Sequence, residues 1–410
     1  MKLNLSFWLK LSLVNLCIVA ALGVLMRYKI GFDFPYLEQK NLQHSHYNFA
    51  FSGWITHTLM TLLIHYLQSK ITLFNQNKYR AILIANLICS YGLLFSYNIP
   101  NFDLLTILFS ISIVIVSYCF SFHFIKDLKQ IDSDNLANKW FSIALLFNVL
   151  SSFGSFYLTY MMISKNIVQD IYLSSVYFYL HFQYNGWFFF ACMGLFYSFL
   201  NLKKSEHPFF ETFFTLFTIA CIPAYFLSTL WLNLPVWLYT ITIMAAFIQV
   251  ASWFKFIYIL SKTRSQFIKK YAASLRYILL FVGSALCIKL LLQLGSTLPT
   301  ISQLAFGFRP IVIAYLHLVL LAIISLFLLF YMYATRLIII TKKIKFGLIL
   351  FSIGVLLNEI ILAIQGIASF SYTPIPFANE MLFIIACILF LGIGITAYFS
   401  IKKTKNDPIL

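Results

Sequence analysis

Leu42-Gln-His-Ser-His-Tyr-Asn-Phe-Ala-Phe-Ser-Gly-Trp54 stands at the lip of an apolar run that continues to Leu67. A run of about 20 apolar residues is long enough to cross a bilayer as a helix. Two of the chain's 8 histidines lie at its start. A helix begun near Tyr47 puts His46, Ala50, Gly53 and His57 on one face, because steps of three and four stay on one side of a 3.6-residue turn. That face reads histidine, small, small, histidine. Small residues admit a close partner helix or a flat ring. A histidine within a membrane span is costly and marks a functional site by default.

The rest of the chain repeats this apolar character. It is 61% hydrophobic and 10% charged, with a mean hydropathy of +0.87. Soluble globular domains do not have this composition, so the chain reads as an all-α polytopic membrane protein. Its formal charge of +17 would suggest nucleic acid in a soluble protein. Here it fits the cytoplasmic Lys/Arg excess of membrane proteins, and no nucleic-acid partner is expected. The 7 cysteines fall inside apolar runs without a CxxC pair, which reads as buried free thiols. The basic-then-apolar start lacks a cleavage signature before Arg27 and reads as a retained first span.

Apolar stretches of spanning length number twelve: roughly 7–26, 47–67, 81–98, 102–122, 140–163, 172–200, 210–230, 235–254, 273–293, 311–333, 346–368 and 379–401. Pro100, Pro235, Pro299, Pro374 and Pro376 punctuate the joints. With the N-terminus inside, the outer loops hold Arg27, Lys29, Lys40, Lys165 and Arg309, Lys289 lies within a span, and the remaining Lys and Arg fall inside. Both termini are therefore expected in the cytoplasm, and 1–410 forms a single integral membrane domain, expected in a bacterial plasma membrane. The longest connections, 27–46 and 294–310, are expected outside.

The intramembrane polar residues are few. His44 and His46 lie at the outer mouth of span 2, His181 in the outer part of span 6, and His317 about two turns into span 10. At 1.5 Å per residue, these share the outer ~10–15 Å of the bilayer. His57 lies deeper, as a metal-ligand candidate or as a hydrogen-bonding partner for a neighbouring helix. His65, His123 and His207 fall at cytoplasmic ends and read as interfacial. Lys289 and Gln293 are one turn apart on span 9. Asn358 and Glu359 are mid-span 11, and Lys289 either pairs with Glu359 or snorkels outward. Arg309 starts span 10 on the outside, where it can bind a carboxylate. No nucleotide-binding loop, HExxH, GxSxG or acidic metal cluster is present.

Twelve spans with both termini inside, and histidines at the outer ends of spans 2, 6 and 10, resemble subunit I of the haem–copper oxidases. That superfamily includes the nitric-oxide reductase catalytic subunit. The His-Ser-His run into Phe-Ala-Phe-Ser-Gly is also similar to the start of span 2 in the NnrS family of haem-containing membrane proteins. The resemblance implies a bundle of that fold and one b-type haem held by His46 or His44 together with His317, with Arg309 on a propionate. It also implies copper or another metal at His181. The chain departs from the family pattern at three places. Span 7 has no histidine, span 10 has one rather than an HxH pair, and Tyr184 follows His181 by three residues rather than four.

The expected function is therefore that of a haem-binding membrane protein, in electron transfer or in binding or reducing nitric oxide or oxygen. If it is an enzyme, it is an oxidoreductase. Lipid, other membrane subunits and a redox partner are the expected contacts. Two alternatives stay open. One is a cofactor-free transporter using His181, Lys289 and Glu359. The other is a non-catalytic scaffold subunit.

Overall fold

The computed structural model describes residues 4–32, 34–72, 74–99, 103–131, 135–202 and 208–402. Pro100 and His207, both singled out above, lie outside them, as do the chain's last residues. Every described element is helical, and no strand occurs among the described residues. Nine of these helices are long and apolar enough to cross a membrane, or ten if one bent pair counts as a single span. The protein is a polytopic helical membrane protein.

In chain order the helices are α1 (Leu5–Gly31), α2 (Gln39–Phe49), α3 (His57–Lys70), α4 (Gln76–Ser96), α5 (Asp103–Leu128) and α6 (Leu136–Ser164). Next come α7 (Gln169–His181), α8 (Phe189–Leu200), α9 (Phe209–Cys221), α10 (Val236–Lys269), α11 (Ala273–Gly295) and α12 (Pro299–Gly307). The last four are α13 (Arg309–His317), α14 (Leu326–Ala334), α15 (Lys342–Phe370) and α16 (Ala378–Ile401). Three joints are not loops. π-helical turns Ala50–Thr56, Phe182–Phe188 and Leu318–Ser325 carry the chain from α2 into α3, α7 into α8 and α13 into α14. Ala50 and His57, at either end of the first, both keep right-handed helical angles.

The sequence reading thus finds its apolar runs as helices but misses these wider turns. The two longest connections, 27–46 and 294–310, are also shorter than expected, since α1 continues to Gly31, α2 starts at Gln39, and α12 occupies Pro299–Gly307. The thiols are all free, as read, but only Cys89, Cys192 and Cys221 are buried. Cys119 is exposed, because its helix turns a broad face of Leu104, Ile107, Leu108, Ile111, Ile115 and Phe122 outward.

The chain forms two compact units. The first comprises Met1–Ile131, Ala272–Ile278 and Ser325–Leu410, and the second Asp132–Tyr271 and Leu279–Ile324. In the first, α1 packs along α16 and along the α2–π–α3 run. The α15–α16 contact runs through glycine. A Cβ on Gly392 would stand 2.5 Å from the Phe351 nitrogen, and one on Gly347 would stand 2.8 Å from the Gly392 oxygen. Lys78 pairs with Asp127 at 2.7 Å, and the Tyr79 hydroxyl donates to the same carboxylate at 2.8 Å. In the second unit, α6 packs on α7, the second π-turn and α8. Aromatic rings fill its interior; Phe213 and Phe256 stack at 4.4 Å and Trp140 lies 5.0 Å from Phe190.

Candidate functional site

The polar residues of the first unit gather on the first π-turn. A π-helix bonds i to i+5, so its wider turn disturbs the ordinary ladder and offers carbonyls to side chains. Asn15 of α1 donates to the Gly53 carbonyl at 2.6 Å, and its own carbonyl accepts from the Tyr91 hydroxyl at 2.8 Å. Asn86 of α4 donates to the Ser52 carbonyl at 3.1 Å. Ser52 and Thr58 bond back to the carbonyls of Asn48 and Trp54 at 2.8 and 2.6 Å. Trp54 donates to the Ser325 hydroxyl at 2.9 Å.

His57 sits at the end of this chain of bonds. It is fully buried, with its ring 5.7 Å from that of Trp8. Asn86 Nδ2 lies 3.4 Å from His57 Nδ1. Because Asn86 uses the same nitrogen to reach the Ser52 carbonyl, that nitrogen is a donor. Nδ1 must then accept, and the hydrogen of the neutral ring is on Nε2. Nε2 has no hydrogen-bond partner. The one-face reading of His46, Gly53 and His57 has a counterpart in α1: Gly23, Asn15 and Trp8 respectively meet them. A Cβ on Gly23 would lie 3.6 Å from His46 Cε1.

His44 and His46 differ. His44 bonds the Tyr47 hydroxyl and stacks on Tyr97 at 5.3 Å. Partial burial, and then the charge of Lys40, hold its imidazole below the usual histidine range. His65 and His123 are half-buried. Asn358 is buried and donates to Glu359 at 3.3 Å.

In the second unit His181 stands at the start of the second π-turn, 1% exposed. Its position follows from a break in α9. Pro223 has no N–H and bends the helix by 44°. The Tyr225 N–H takes the Ile222 carbonyl at 3.2 Å, in the three-residue pattern. This leaves the Cys221 carbonyl to a side chain, and His181 Nε2 donates to it at 2.9 Å. Asn185 Nδ2 then lies 3.2 Å from Nδ1. Both ring nitrogens are engaged, so metal ligation by His181 requires one bond to be released. Cys221 turns its thiol to the Asn185 carbonyl at 3.8 Å. Gln183 bonds Asn148 and Ser151 at 3.1 and 2.7 Å. Tyr184 is buried with its ring 6.2 Å from that of Tyr315.

Lys289 and Gln293 of α11 belong to this unit. Lys289 is 6% exposed, within electrostatic reach of Cys221 and His181. Glu359, its expected partner, belongs to the first unit. Arg309 is exposed at the first position of α13. At the other end of α13, His317 Nδ1 donates to the Ile313 carbonyl at 2.9 Å, which puts the lone pair of the neutral ring on Nε2.

The sequence reading missed Asn15, Asn86, Asn185, Cys221 and Tyr315. Asparagines in the middle of apolar runs were the available signal. Among the described residues no group of three His, Cys, Asp or Glu side chains is placed to hold a metal ion. No protein-family model matches the chain, and no curated protein matches its sequence.

Proposed function

We propose that the chain is a twelve-span membrane protein with both termini in the cytoplasm, related in architecture to subunit I of the haem–copper oxidases. In this reading it binds a b-type haem for electron transfer, or for binding or reducing a small diatomic gas, in a bacterial plasma membrane. The supporting observation is the state of His317. Its Nδ1–H is committed to a backbone carbonyl, which orients the ring and leaves the lone pair on Nε2, the arrangement of ligand histidines. Two further observations fit a haem. Gly23 keeps α1 small beside His46, and the runs bearing His46, His181 and His317 each change to a π-turn, a distortion found mostly at functional sites.

Under the resemblance, His317, through Nε2, and His46 or His44 are the residues that would hold the haem. Arg309, exposed at a helix start, can pair with a propionate. The haem, when bound, supplies the one-electron carrier. The protein's own groups hold the ring nitrogens in one tautomer and keep the surroundings apolar, which sets the potential.

A reduced-minus-oxidised visible spectrum of the detergent-purified protein, made with haem supplied, tests the proposal. A sharp b-type α-band is expected, lost in His317→Ala and His46→Ala and kept in His123→Ala. A flat spectrum from folded protein would remove the haem reading. The buried Lys289 favours the transporter as a second reading, in which Glu359→Gln alters proton-coupled uptake and leaves absorbance unchanged.

A further inference from the structure

Lys289 has neither a hydrogen-bond nor an ion-pair partner among the described residues, yet it is 6% exposed within a span. The two groups within its electrostatic reach, Cys221 and His181, do not neutralise it. The Cys221 thiol donates to the Asn185 carbonyl, and His181 Nε2 is committed to the Cys221 carbonyl. One turn along the same helix, Gln293 is 8% exposed, and its Oε1 has no partner either. An uncompensated ammonium in a dry interior is costly. So is an amide end with nothing to bond. Residues four apart share a helix face, so the two deficits lie together.

We propose that Lys289 and Gln293 form a buried site for a small monoanion of the carboxylate or nitrite class. One charge of −1 balances the ammonium. The anion's oxygen accepts from Nζ, and the Gln293 carboxamide, turned to present its N–H2, supplies a second donor. The site does not depend on whether the protein carries a haem.

The test uses the full-length protein in detergent, with unfolding followed by tryptophan fluorescence at constant ionic strength. Sodium formate and sodium nitrite are titrated against sodium gluconate, a far bulkier monocarboxylate, as the control. An anion that binds the folded state alone raises the unfolding temperature with its concentration. A rise is expected in the wild type and in Lys289→Arg, with affinity at least tenfold weaker in Lys289→Met and several-fold weaker in Gln293→Leu. No rise in the wild type overturns the proposal. So does an equal rise in Lys289→Met, or binding lost in His317→Ala but kept in Lys289→Met, which would place the anion on haem iron. If Lys289→Met does not fold, an unchanged affinity in Gln293→Leu overturns it.

Discussion

The two π-turns that carry a Gly-Trp pair, Ala50–Thr56 and Phe182–Phe188, solve the same problem in opposite ways. In the first, asparagines from other helices reach in. Asn15 and Asn86 take the Gly53 and Ser52 carbonyls, and the histidine beyond them keeps an N–H with no acceptor. In the second, the turn's histidine and asparagine bond each other and the break in α9, and Gln183 reaches out to α6. His181, Asn185 and Cys221 satisfy one another. The tryptophans reverse the pattern. Trp54 donates to Ser325, whereas the fully buried Trp187 has no partner for its N–H. A helix distortion is thus compatible with either a closed polar network or an open one, and the open groups are those available to a ligand.

The largest break in this contrast is expected at the two histidines. His181→Leu strands the Cys221 carbonyl and the Asn185 amide and is expected to destabilise the protein by about 2–4 kcal/mol. His57→Leu removes a group already lacking one bond and is expected to stay within about 1 kcal/mol of wild type. Unfolding midpoints in detergent compare them, and equal losses would erase the distinction between an open and a closed network. Next comes Asn15→Leu, which frees both the Gly53 carbonyl and the Tyr91 hydroxyl, at about 2 kcal/mol. The same assay reads it, and a neutral outcome would mean that the first π-turn holds without help from α1.

The tryptophan pair gives a smaller effect. Trp54→Phe loses the bond to Ser325 and is expected to cost about 1 kcal/mol, while Trp187→Phe costs less than about 0.5 kcal/mol. The reverse order would contradict the assigned partners. The smallest effect is electrostatic. The His44 imidazole is held below its usual range by burial and Lys40, so below about pH 6.5 the unfolded chain binds the proton more readily than the folded one. Stability therefore rises with pH through that window and is level above it. His44→Gln should flatten that part of the pH profile of the unfolding temperature, and an unchanged profile would relieve His44 of the role.

Much of the fold was legible because spanning helices announce themselves by length and hydropathy. The runs around α1, α4, α5, α6, α15 and α16 needed no tertiary information. The π-turns were not legible. Their register depends on whether a neighbouring helix brings an amide to the Ser52 or Gly53 carbonyl, and Asn86 and Asn15 are distant from both in sequence. The histidines were legible as candidates, but their states were not. The role of His181 follows from the break at Pro223, beyond which the Tyr225 N–H bonds Ile222 and leaves free the Cys221 carbonyl, 40 residues away along the chain. The tautomer of His317 follows from its own helix, and that of His57 from a second helix.

The glycine contact between α15 and α16 has a mechanical consequence. Where the Gly392 Cα faces the Phe351 backbone with no side chain between them, the two helices fit at one axial offset only. Sliding by a residue in either direction brings a side chain into a space that admits none. The last hairpin therefore behaves as an indexed pair. Once it has closed, the height of α16 in the bilayer is fixed by a notch rather than by the length of its apolar surface, and α1, which packs along α16, inherits the same datum.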